Sequence, residues 1–527
     1  MALSPLGTVE LTASLRKRLY EPVVLLSCLT TAYIEAGRTE IAEPESTSRQ
    51  ESYFVFVNKL AQICDSKRGG DTVTAFAVLQ PNSVEYRFAS NGRKASELKK
   101  VKAYITDILT VLDRAPQRDI ALAATKHKGS LFSDVLVKII VFNRRRLECY
   151  IRALQADVSK CIQDASEVAV EDEADSDGEV SHKVAEFLKR LEPLVASALK
   201  KVEVDGEKVK MKNEEYSEKT QALMHAIHQG YQGDVKAFVA DRCVQDPRQD
   251  RMHWDEVYHA LGRLLSYFIS VTVLAKARRY WPNLFNDFKV DPIPSSRPSS
   301  DPPSVRKSAE KIIPTLASRD TAIVDAYSSN AEQLQLWGLD KSIKEITRHS
   351  HFKTIVHAEV LVDDSIRRDR RQSQGEPLHF FMEDEFGEYI GASKPTCRLC
   401  ALYFDSQTDG FKVRPSHNNL YHKWRPADLT ARDPQAVRKE RDEILERMIP
   451  KLRDGVFRAI RQKSAPWKRF DSNNTATSPA FPTGTDITTQ MGSMRISSGD
   501  AETVRGSSPE VEDEEDDEEE EDDDDEE

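Results

Sequence analysis

The 527-residue chain has few cysteines and no long apolar run. It contains seven cysteines, an odd number for so long a chain, and five of them stand alone in apolar, helix-like surroundings. This pattern excludes a disulfide framework and favours a reducing compartment, so we expect a cytoplasmic or nuclear protein. No stretch of about 18 apolar residues occurs, so we expect no membrane-spanning helix and no membrane partner.

An excess of positive charge is also lacking. The formal net charge is −12, but residues 512–527 are all acidic, and the rest of the chain carries 75 basic and 71 acidic residues. Because that body is nearly neutral, any nucleic-acid surface must be local. Residues 471–527 are polar and then acidic, so we predict a disordered tail whose acidic end binds basic proteins.

The pattern of apolar residues divides the rest of the chain into segments. Residues 52–66 have the spacing of an amphipathic helix, and 72–79 and 84–89 are β-branched and aromatic runs that predict a hairpin ending at Asn91-Gly92. The predicted organisation is an N-terminal helical segment (1–50), a helix plus hairpin (51–92), a mostly helical region (93–290) with an acidic loop (166–181), an exposed Pro/Ser-rich linker (291–305) and a second ordered block (306–470).

The most informative segment begins at residues 352–364, FKTIVHAEVLVDD. An apolar lead-in, 352–356, is followed by His357 and Glu359 at the start of a helix-like run. Residues two apart cannot share a face deep inside a helix, but in the first turn both side chains can point into one pocket. That arrangement suits a site in which one residue binds a metal and the other does not.

The partner segment is residues 389–404, YIGASKPTCRLCALYF. It predicts a short strand at 389–392 and then a helix, with Ser393 or Thr396 as its cap and Pro395 at its entry. Cys397 and Cys400 lie three apart, so both sulfurs project from one face of the first turn. With His357 they supply three ligands, and three protein ligands with an open fourth position are typical of catalytic zinc.

The order His357, Glu359, Pro395, Cys397, Cys400 resembles the zinc deaminase signature H-x-E followed by P-C-x-x-C. On these residues the sequence resembles the cytidine deaminase-like superfamily. More narrowly, the pattern HAE, YIG-x-SKP-x-C-x-x-C and H-x-x-x-Y-x-x-W resembles a poorly characterised, largely fungal group within it. These motifs cover residues 350–430, so most of the chain lies outside the resemblance.

The resemblance implies Zn²⁺ as cofactor, His357, Cys397 and Cys400 as its ligands, and Glu359 as the catalytic proton shuttle. It also implies that the backbone near Ala358 and Cys397 anchors a cytosine or adenine base. Two features depart from the family pattern. Thr396 separates Pro395 from Cys397, and a long, arginine-containing interval separates the two motifs.

Residues 411–429, FKVRPSHNNLYHKWRPADL, add further candidates. His417, Asn419, Tyr421 and Trp424 are interleaved with basic residues, a pattern that suits base stacking and phosphate contact. The substrate would then be a nucleotide or a nucleic acid, single-stranded if it is a polymer. The alternative is a packed loop with surface charges.

The resemblance implies an α/β fold, a three-layer sandwich with a mixed sheet flanked by helices, beside the large helical region and the acidic tail. Such a core needs a helix and a hairpin before the H-x-E helix, yet 306–356 predicts at most one strand. We therefore predict that 52–92 supplies them and that the hairpin lies beside the strand ending at Ala392. The helical stretch from 99 to 345 would then be an insertion.

Two functions remain open from the sequence. One is a zinc-dependent hydrolytic deaminase of a cytosine or adenine base. The other is a catalytically inactive, zinc-stabilised scaffold with an acidic docking tail. A third alternative is that His357 and Glu359 are ordinary helix residues and the cysteines are merely buried. Glu359 distinguishes the first two, because a structural zinc site does not require it.

Overall fold

The computed structural model describes residues 8–32, 48–80, 82–171, 176–200, 202–204, 207–209, 211–244, 252–299, 303–318, 320–348, 352–372, 378–408 and 410–463. The predicted acidic tail, 471–527, lies outside these residues, as do 172–175 of the predicted acidic loop.

The first elements are a buried helix and a helix–hairpin unit: α1 (Ala13–Ala32), α2 (Arg49–Gln62), β1 (Thr74–Leu79) and β2 (Val84–Ser90). The helix α2 starts earlier than its apolar spacing predicts. Ser48 caps it by accepting from the N–H of Glu51, and the Glu51 carboxylate accepts from the N–H of Ser48. This reciprocal capping box starts the helix at Arg49, three residues before the start that the apolar spacing predicts.

The next region is mostly helical, as predicted. Its elements are α3 (Ala95–Arg114), α4 (Gln117–Lys126), α5 (Ser130–Phe142), α6 (Arg144–Glu171), α7 (Ser176–Leu199), β3 (Val202–Val204), β4 (Glu207–Val209), α8 (Asn213–Gly230), α9 (Gly233–Val244) and α10 (Met252–Tyr280). The acidic segment 166–181 was predicted as a loop, but its described residues belong to α6 and α7. The sequence also missed the short hairpin β3–β4.

The helix α10 forms the centre of this region. The stretch His253–Tyr280 is long enough and apolar enough to cross a membrane, judged by length and composition alone. However, 94% of its most apolar part is buried inside the protein. Neighbouring helices surround it, so buried apolar side chains occur on all of its sides and no single face stands out. It is therefore a core helix of the helical region.

The rest of the chain returns to the sheet and ends in a long helix. Its elements are a 3-10 turn (Pro282–Leu284), β5 (Phe288–Pro292), α11 (Ala309–Ala317), α12 (Thr321–Ser328), α13 (Ala331–Leu336), α14 (Leu339–Ile346), β6 (Ile355–Val356), α15 (Ala358–Gln372), α16 (Glu383–Phe386), β7 (Tyr389–Ala392), α17 (Arg398–Phe404), β8 (Lys412–Val413), β9 (Trp424–Arg425) and α18 (Gln435–Gln462).

Five strands form a mixed sheet in the order β5-β2-β1-β7-β8. The hairpin strands β1 and β2 are antiparallel, and β7 pairs with β1 through Ala75 with Ala392 and Phe76 with Gly391. The outer pairs, β2 with β5 and β7 with β8, are parallel. The hairpin therefore lies beside the strand ending at Ala392, as the sequence predicted. The strands β6 and β9 form a separate parallel pair.

The sheet separates two hydrophobic cores. Along β1, Phe76 and Val78 face the helical region, whereas Ala75 and Ala77 face the side of α1, α15 and α18. Successive residues of a strand point to opposite faces, so both faces of β1 are covered. The strand is consequently apolar at nearly every position, and the mixed α/β architecture with helices on both sides agrees with the predicted fold class.

The segment 291–305 was predicted as an exposed linker, but its first part is bound to the sheet. Residues 291–292 belong to β5, and the N–H of Ile293 donates to the carbonyl of Phe88 at 2.7 Å. The hydroxyl of Ser295 donates to the carbonyl of Ser90 at 2.6 Å, and that of Ser296 accepts from the N–H of Val356 at 2.8 Å. Parallel pairing with β2 is non-local, so composition could not reveal it.

The helical region contacts the sheet layer through polar as well as apolar groups. The ammonium of Lys59 donates to the hydroxyl of Ser266 at 2.7 Å. Arg146 and Asp65 form an ion pair of 2.7 Å in which both side chains are almost fully buried. Losing either partner would leave a buried charge uncompensated, so a substitution at either residue should destabilise this contact.

The close fit of β7 on α2 gives a stability prediction. A Cβ at Gly391 would come within 2.7 Å of Cγ1 of Val57 and 2.9 Å of Oδ1 of Asn58. We expect Gly391→Ala to lower the free energy of unfolding by about 1–3 kcal/mol, because overpacking displaces the strand. Urea denaturation measures this. Gly70→Ala is the control, since nothing lies within 4 Å there. An equal effect of both changes would contradict the expected clash.

Candidate metal centre

Two segment junctions bring the predicted ligands together. His357 lies between β6 and α15, and Glu359 is the second residue of α15. Cys397 directly precedes α17, and Cys400 lies in its first turn. Sequence spacing suggested Ser393 or Thr396 as the cap of α17. The cap is Cys397 itself, whose sulfur accepts from the N–H of Cys400 at 3.4 Å.

The three ligand atoms have the spacing of one tetrahedral ion. Nδ1 of His357 lies 3.4 Å from Sγ of Cys397 and 3.5 Å from Sγ of Cys400. All three atoms lie within 4.8 Å of one another, and all three residues are buried. Ordinary Zn–S and Zn–N bond lengths place tetrahedral N and S ligands about 3.6 Å apart. The donor set and its geometry therefore fit zinc.

The electrostatics of the two thiols also favours a cation. Burial opposes ionisation of Cys397, but the hydrogen bond from Cys400 and the charge of His357 hold its pKa well below the usual value. Burial and the neighbouring Cys397 sulfur raise the pKa of Cys400. Two thiolates at this distance repel each other, and a bound divalent cation would stabilise both.

Glu359 lies beside the ligands without being one of them. Its side chain is 4% exposed, and Oε2 has no hydrogen-bond partner among the described residues. Burial raises the pKa of its carboxyl to about 7, although the charge of His357 opposes that rise. A buried carboxyl with an unpaired oxygen and a pKa near neutrality can accept and return a proton.

Asn91 is a site residue that the sequence analysis did not identify. It follows β2, and its Oδ1 accepts from the N–H of Ala358 at 2.8 Å. Its side-chain amide donates to the carbonyl of Gly70 at 2.9 Å. It therefore holds the first turn of α15. The resemblance implied that the backbone near Ala358 anchors a base, and the N–H of Ala358 is already engaged by Asn91. In the sequence, only the predicted pairing of the hairpin with β7 indicated that the residues after β2 lie near the site.

Removing this contact has a predictable effect. We expect Asn91→Ala to lower the free energy of unfolding by about 1–2 kcal/mol, because the buried N–H of Ala358 loses its acceptor. We also expect weaker zinc binding, since His357 directly precedes that turn. Chemical denaturation and a zinc-chelator titration measure the two effects. Asn91→Asp keeps an acceptor oxygen and should lose less, so equal losses in both variants would contradict this role.

The substrate-binding candidates of residues 411–429 separate into those that lie beside the cluster and one that lies in the core. The ring of Tyr421 lies 6.3 Å from that of His357 and 5.8 Å from that of His417, so these rings adjoin the metal ligands. His417 is almost fully buried, and its Nδ1 accepts from the N–H of Asn419 at 2.9 Å. The carbonyl of Asn419 accepts from the N–H of Arg398. His417 and Asn419 thus brace the start of α17, and the half-buried ring of Tyr421 lies beside the site.

Trp424 was predicted to stack on a base, and the structure places it in the core. Its side chain has no exposed surface, and its ring lies 5.9 Å from that of Tyr403. As part of β9 it pairs with Ile355, two residues before His357. It therefore packs behind the ligands, where a substrate ring cannot reach its face. Because this ring is buried, Trp424 and the basic residues on either side of it, Lys423 and Arg425, do not form a surface on which a nucleobase could stack.

Comparison with known proteins bears on the same segment. A family model described as OTT_1508_deam-like deaminase matches residues 356–428. This segment is similar to a deaminase. The match contains His357, Glu359, Cys397 and Cys400 and nearly coincides with the 350–430 range of the motifs. No curated protein and no solved structure matches the chain significantly.

Proposed function

We propose that this protein is a zinc-dependent hydrolytic deaminase acting on a cytosine or adenine base in a nucleotide or nucleic acid. The observation that carries the proposal is a buried His357, Cys397 and Cys400 cluster beside the buried, unpaired carboxylate oxygen of Glu359. The similarity of residues 356–428 to a deaminase family supports it.

The metal would be held by Nδ1 of His357 and by the sulfurs of Cys397 and Cys400. Zinc bound in this way supplies a water of lowered pKa and leaves a fourth position open. The protein holds its ligands from two directions. Asn91 orients the turn that follows His357, and the N-cap and first turn of α17 present the two sulfurs. The helix N-terminus also stabilises the thiolate charge.

Glu359 would move the protons of the reaction. Its carboxylate accepts a proton from the attacking water and delivers it to the ring nitrogen, and a second transfer protonates the amine. Water adds to the amine-bearing carbon, the carbon–nitrogen bond breaks, and ammonia leaves. Burial of the carboxyl keeps bulk water from competing for these protons. Tyr421, half-buried beside His357, is the side chain that would contact the base.

An activity screen with metal analysis tests the proposal. Zinc-loaded full-length protein would be incubated with nucleosides, nucleotides, single-stranded DNA and RNA, each with cytosine or adenine, and ammonia release would be measured. Release from at least one substrate, abolished by a chelator and restored by zinc, supports a deaminase. If zinc binds stoichiometrically and no substrate releases ammonia, the proposed reaction is wrong and the zinc-stabilised scaffold explains the site.

A further inference from the structure

A buried carboxylate lies on the same face of α15 as Glu359. Asp363 follows Glu359 by four residues, so it lies about one helical turn, or about 6 Å, further along the helix. Its side chain has no exposed surface. A carboxylate that is excluded from water in this way needs donors from the protein. The positions of those donors therefore show which parts of the chain Asp363 joins.

Donors from two elements bind the Asp363 carboxylate. Nε of Arg367, on α15 itself, donates to Oδ1 at 2.7 Å. The hydroxyl of Tyr403, on α17, and the side-chain amide of Gln407, in the turn after α17, each donate to Oδ2 at 3.2 Å. Arg367 also donates to Oε1 of Gln407 at 3.0 Å, so the donors are linked to one another. We call these four residues the Asp363 clamp.

The clamp spans the two helices that begin at the metal cluster. Tyr403 lies about one turn after Cys400 on the same face of α17, just as Asp363 lies about one turn after Glu359 on α15. The cluster and the clamp are therefore neighbouring links between the same two helices. A shift of α17 against α15 would break the clamp, and it would also change the distances from the sulfurs to His357.

The surroundings of the clamp hold Tyr403 in one orientation. Its side chain is 6% exposed, and its ring lies 5.5 Å from that of Phe404 and 5.9 Å from that of Trp424. Burial raises the pKa of the Asp363 carboxyl, while the charge of Arg367 and the hydrogen bonds of the clamp oppose that rise. Hydrogen bonds in a site with little water are stronger than those at the surface. The clamp is therefore a fixed connection between the two helices.

We propose that Asp363 is a positioning residue, which through Tyr403 fixes α17 against α15 and so sets the distances between His357 and the two sulfurs. It also sets where Glu359 lies relative to the cluster. This inference rests on the proposed function, which supplies the reaction that these positions serve. Asp363 does not belong to the candidate metal cluster, so it acts through the two helices. Replacing groups that orient metal ligands typically lowers metal affinity by about tenfold to a hundredfold.

Zinc affinity and the absorption spectrum of the cobalt-substituted full-length protein test the inference. The side chain in Asp363→Asn has nearly the same shape but loses the charge and one acceptor oxygen. We expect it to weaken zinc binding by about tenfold or more in a chelator competition. The absorption bands of bound Co²⁺ should also shift, because they report the arrangement of the ligands. Tyr403→Phe loses one hydroxyl and should show the same changes to a smaller extent.

The matched control is Glu21→Gln, which makes the same change from carboxylate to amide at another buried position. Glu21 lies on α1, is 3% exposed and accepts from Arg306 at 2.8 Å. Its loss should lower the melting temperature as Asp363→Asn does, while zinc affinity and the cobalt spectrum stay as in the wild type. The comparison separates a loss of ligand position from a loss of stability.

Kinetics tests the link to catalysis. For the accepted substrate, Asp363→Asn should lower kcat by about tenfold or more and leave KM little changed, because a small displacement of reacting groups slows the chemical step. Glu21→Gln should leave both constants unchanged. A rise in KM with wild-type kcat in Asp363→Asn would contradict a role in placing Glu359 and the cluster.

Two further outcomes would overturn the inference. One is wild-type zinc affinity and an unchanged cobalt spectrum in folded Asp363→Asn and Tyr403→Phe. The other is an equal loss of zinc in Glu21→Gln and Asp363→Asn, which would make the effect one of general stability. If Asp363→Asn does not fold, Tyr403→Phe decides between these results. Altered metal binding in the clamp variants alone, in a protein that releases no ammonia, would support the clamp and refute the deaminase.

Discussion

Replacing Glu359 with alanine is expected to lower the rate of deamination by about a thousandfold to ten-thousandfold. The carboxylate would act in two successive proton transfers, and each loss of a positioned acid or base is costly. Zinc content should stay unchanged, because the three ligands come from other residues. Steady-state ammonia release and metal analysis of the same preparations measure both quantities.

If Glu359 had a structural role, replacing it would lower the melting temperature; a catalytic role predicts lost activity without lost stability. Its Oε2 is buried and unpaired in the described structure, so the carboxyl costs stability rather than adding to it. We therefore expect Glu359→Gln to keep or raise the melting temperature while activity is lost. The exposed Glu345→Ala serves as the control and should leave activity, zinc content and stability unchanged. Retained activity in Glu359→Ala would exclude it as the proton shuttle.

Replacing Cys397 with serine is expected to reduce bound zinc from about one ion per chain to nearly none. Serine offers a hydroxyl that does not ionise near neutral pH, so one of the two thiolates is lost. The cap of α17 also changes, because the Cys397 sulfur accepts from the N–H of Cys400. The melting temperature should fall, since a ligand that binds only the folded state stabilises it. Metal analysis and thermal denaturation check both results.

The other cysteines supply the comparison. Cys400→Ser should behave like Cys397→Ser, whereas Cys149→Ser should retain zinc, because Cys149 lies in α6 and belongs to no metal cluster in the described structure. Full zinc occupancy in both Cys397→Ser and Cys400→Ser would remove the basis of the site. Loss of zinc in all three variants would instead indicate a general folding defect.

The residues of the candidate site could be predicted from the sequence, because they lie at short spacings along the chain. His357 and Glu359 are two apart at a helix start, and Cys397 and Cys400 are three apart in a first turn. Local backbone geometry brings each pair together, and the ligand preference of zinc joins the two pairs. Residue types and spacing therefore predicted the cluster that the structure shows.

Strand pairing was only partly readable. The hairpin and its place beside β7 followed from counting the strands that the predicted fold lacked near His357. The pairing of β5 with β2 did not, because parallel partners more than 190 residues apart leave no local pattern. A Pro/Ser-rich composition suggested an exposed linker at 291–305, whereas the first residues of that segment complete a strand and form hydrogen bonds along the sheet.

The sequence by itself determined which residues form the candidate metal cluster, that Glu359 lies beside them, and that a helix and a hairpin occupy residues 49–90, since each depends on nearby residues. Only the tertiary structure decided that Asn91 orients the turn after His357, that Trp424 is a core residue paired with Ile355, and that β5 joins the sheet beside β2. These contacts join residues 69 to 267 positions apart. Their partners are set by packing and burial, which no local spacing encodes.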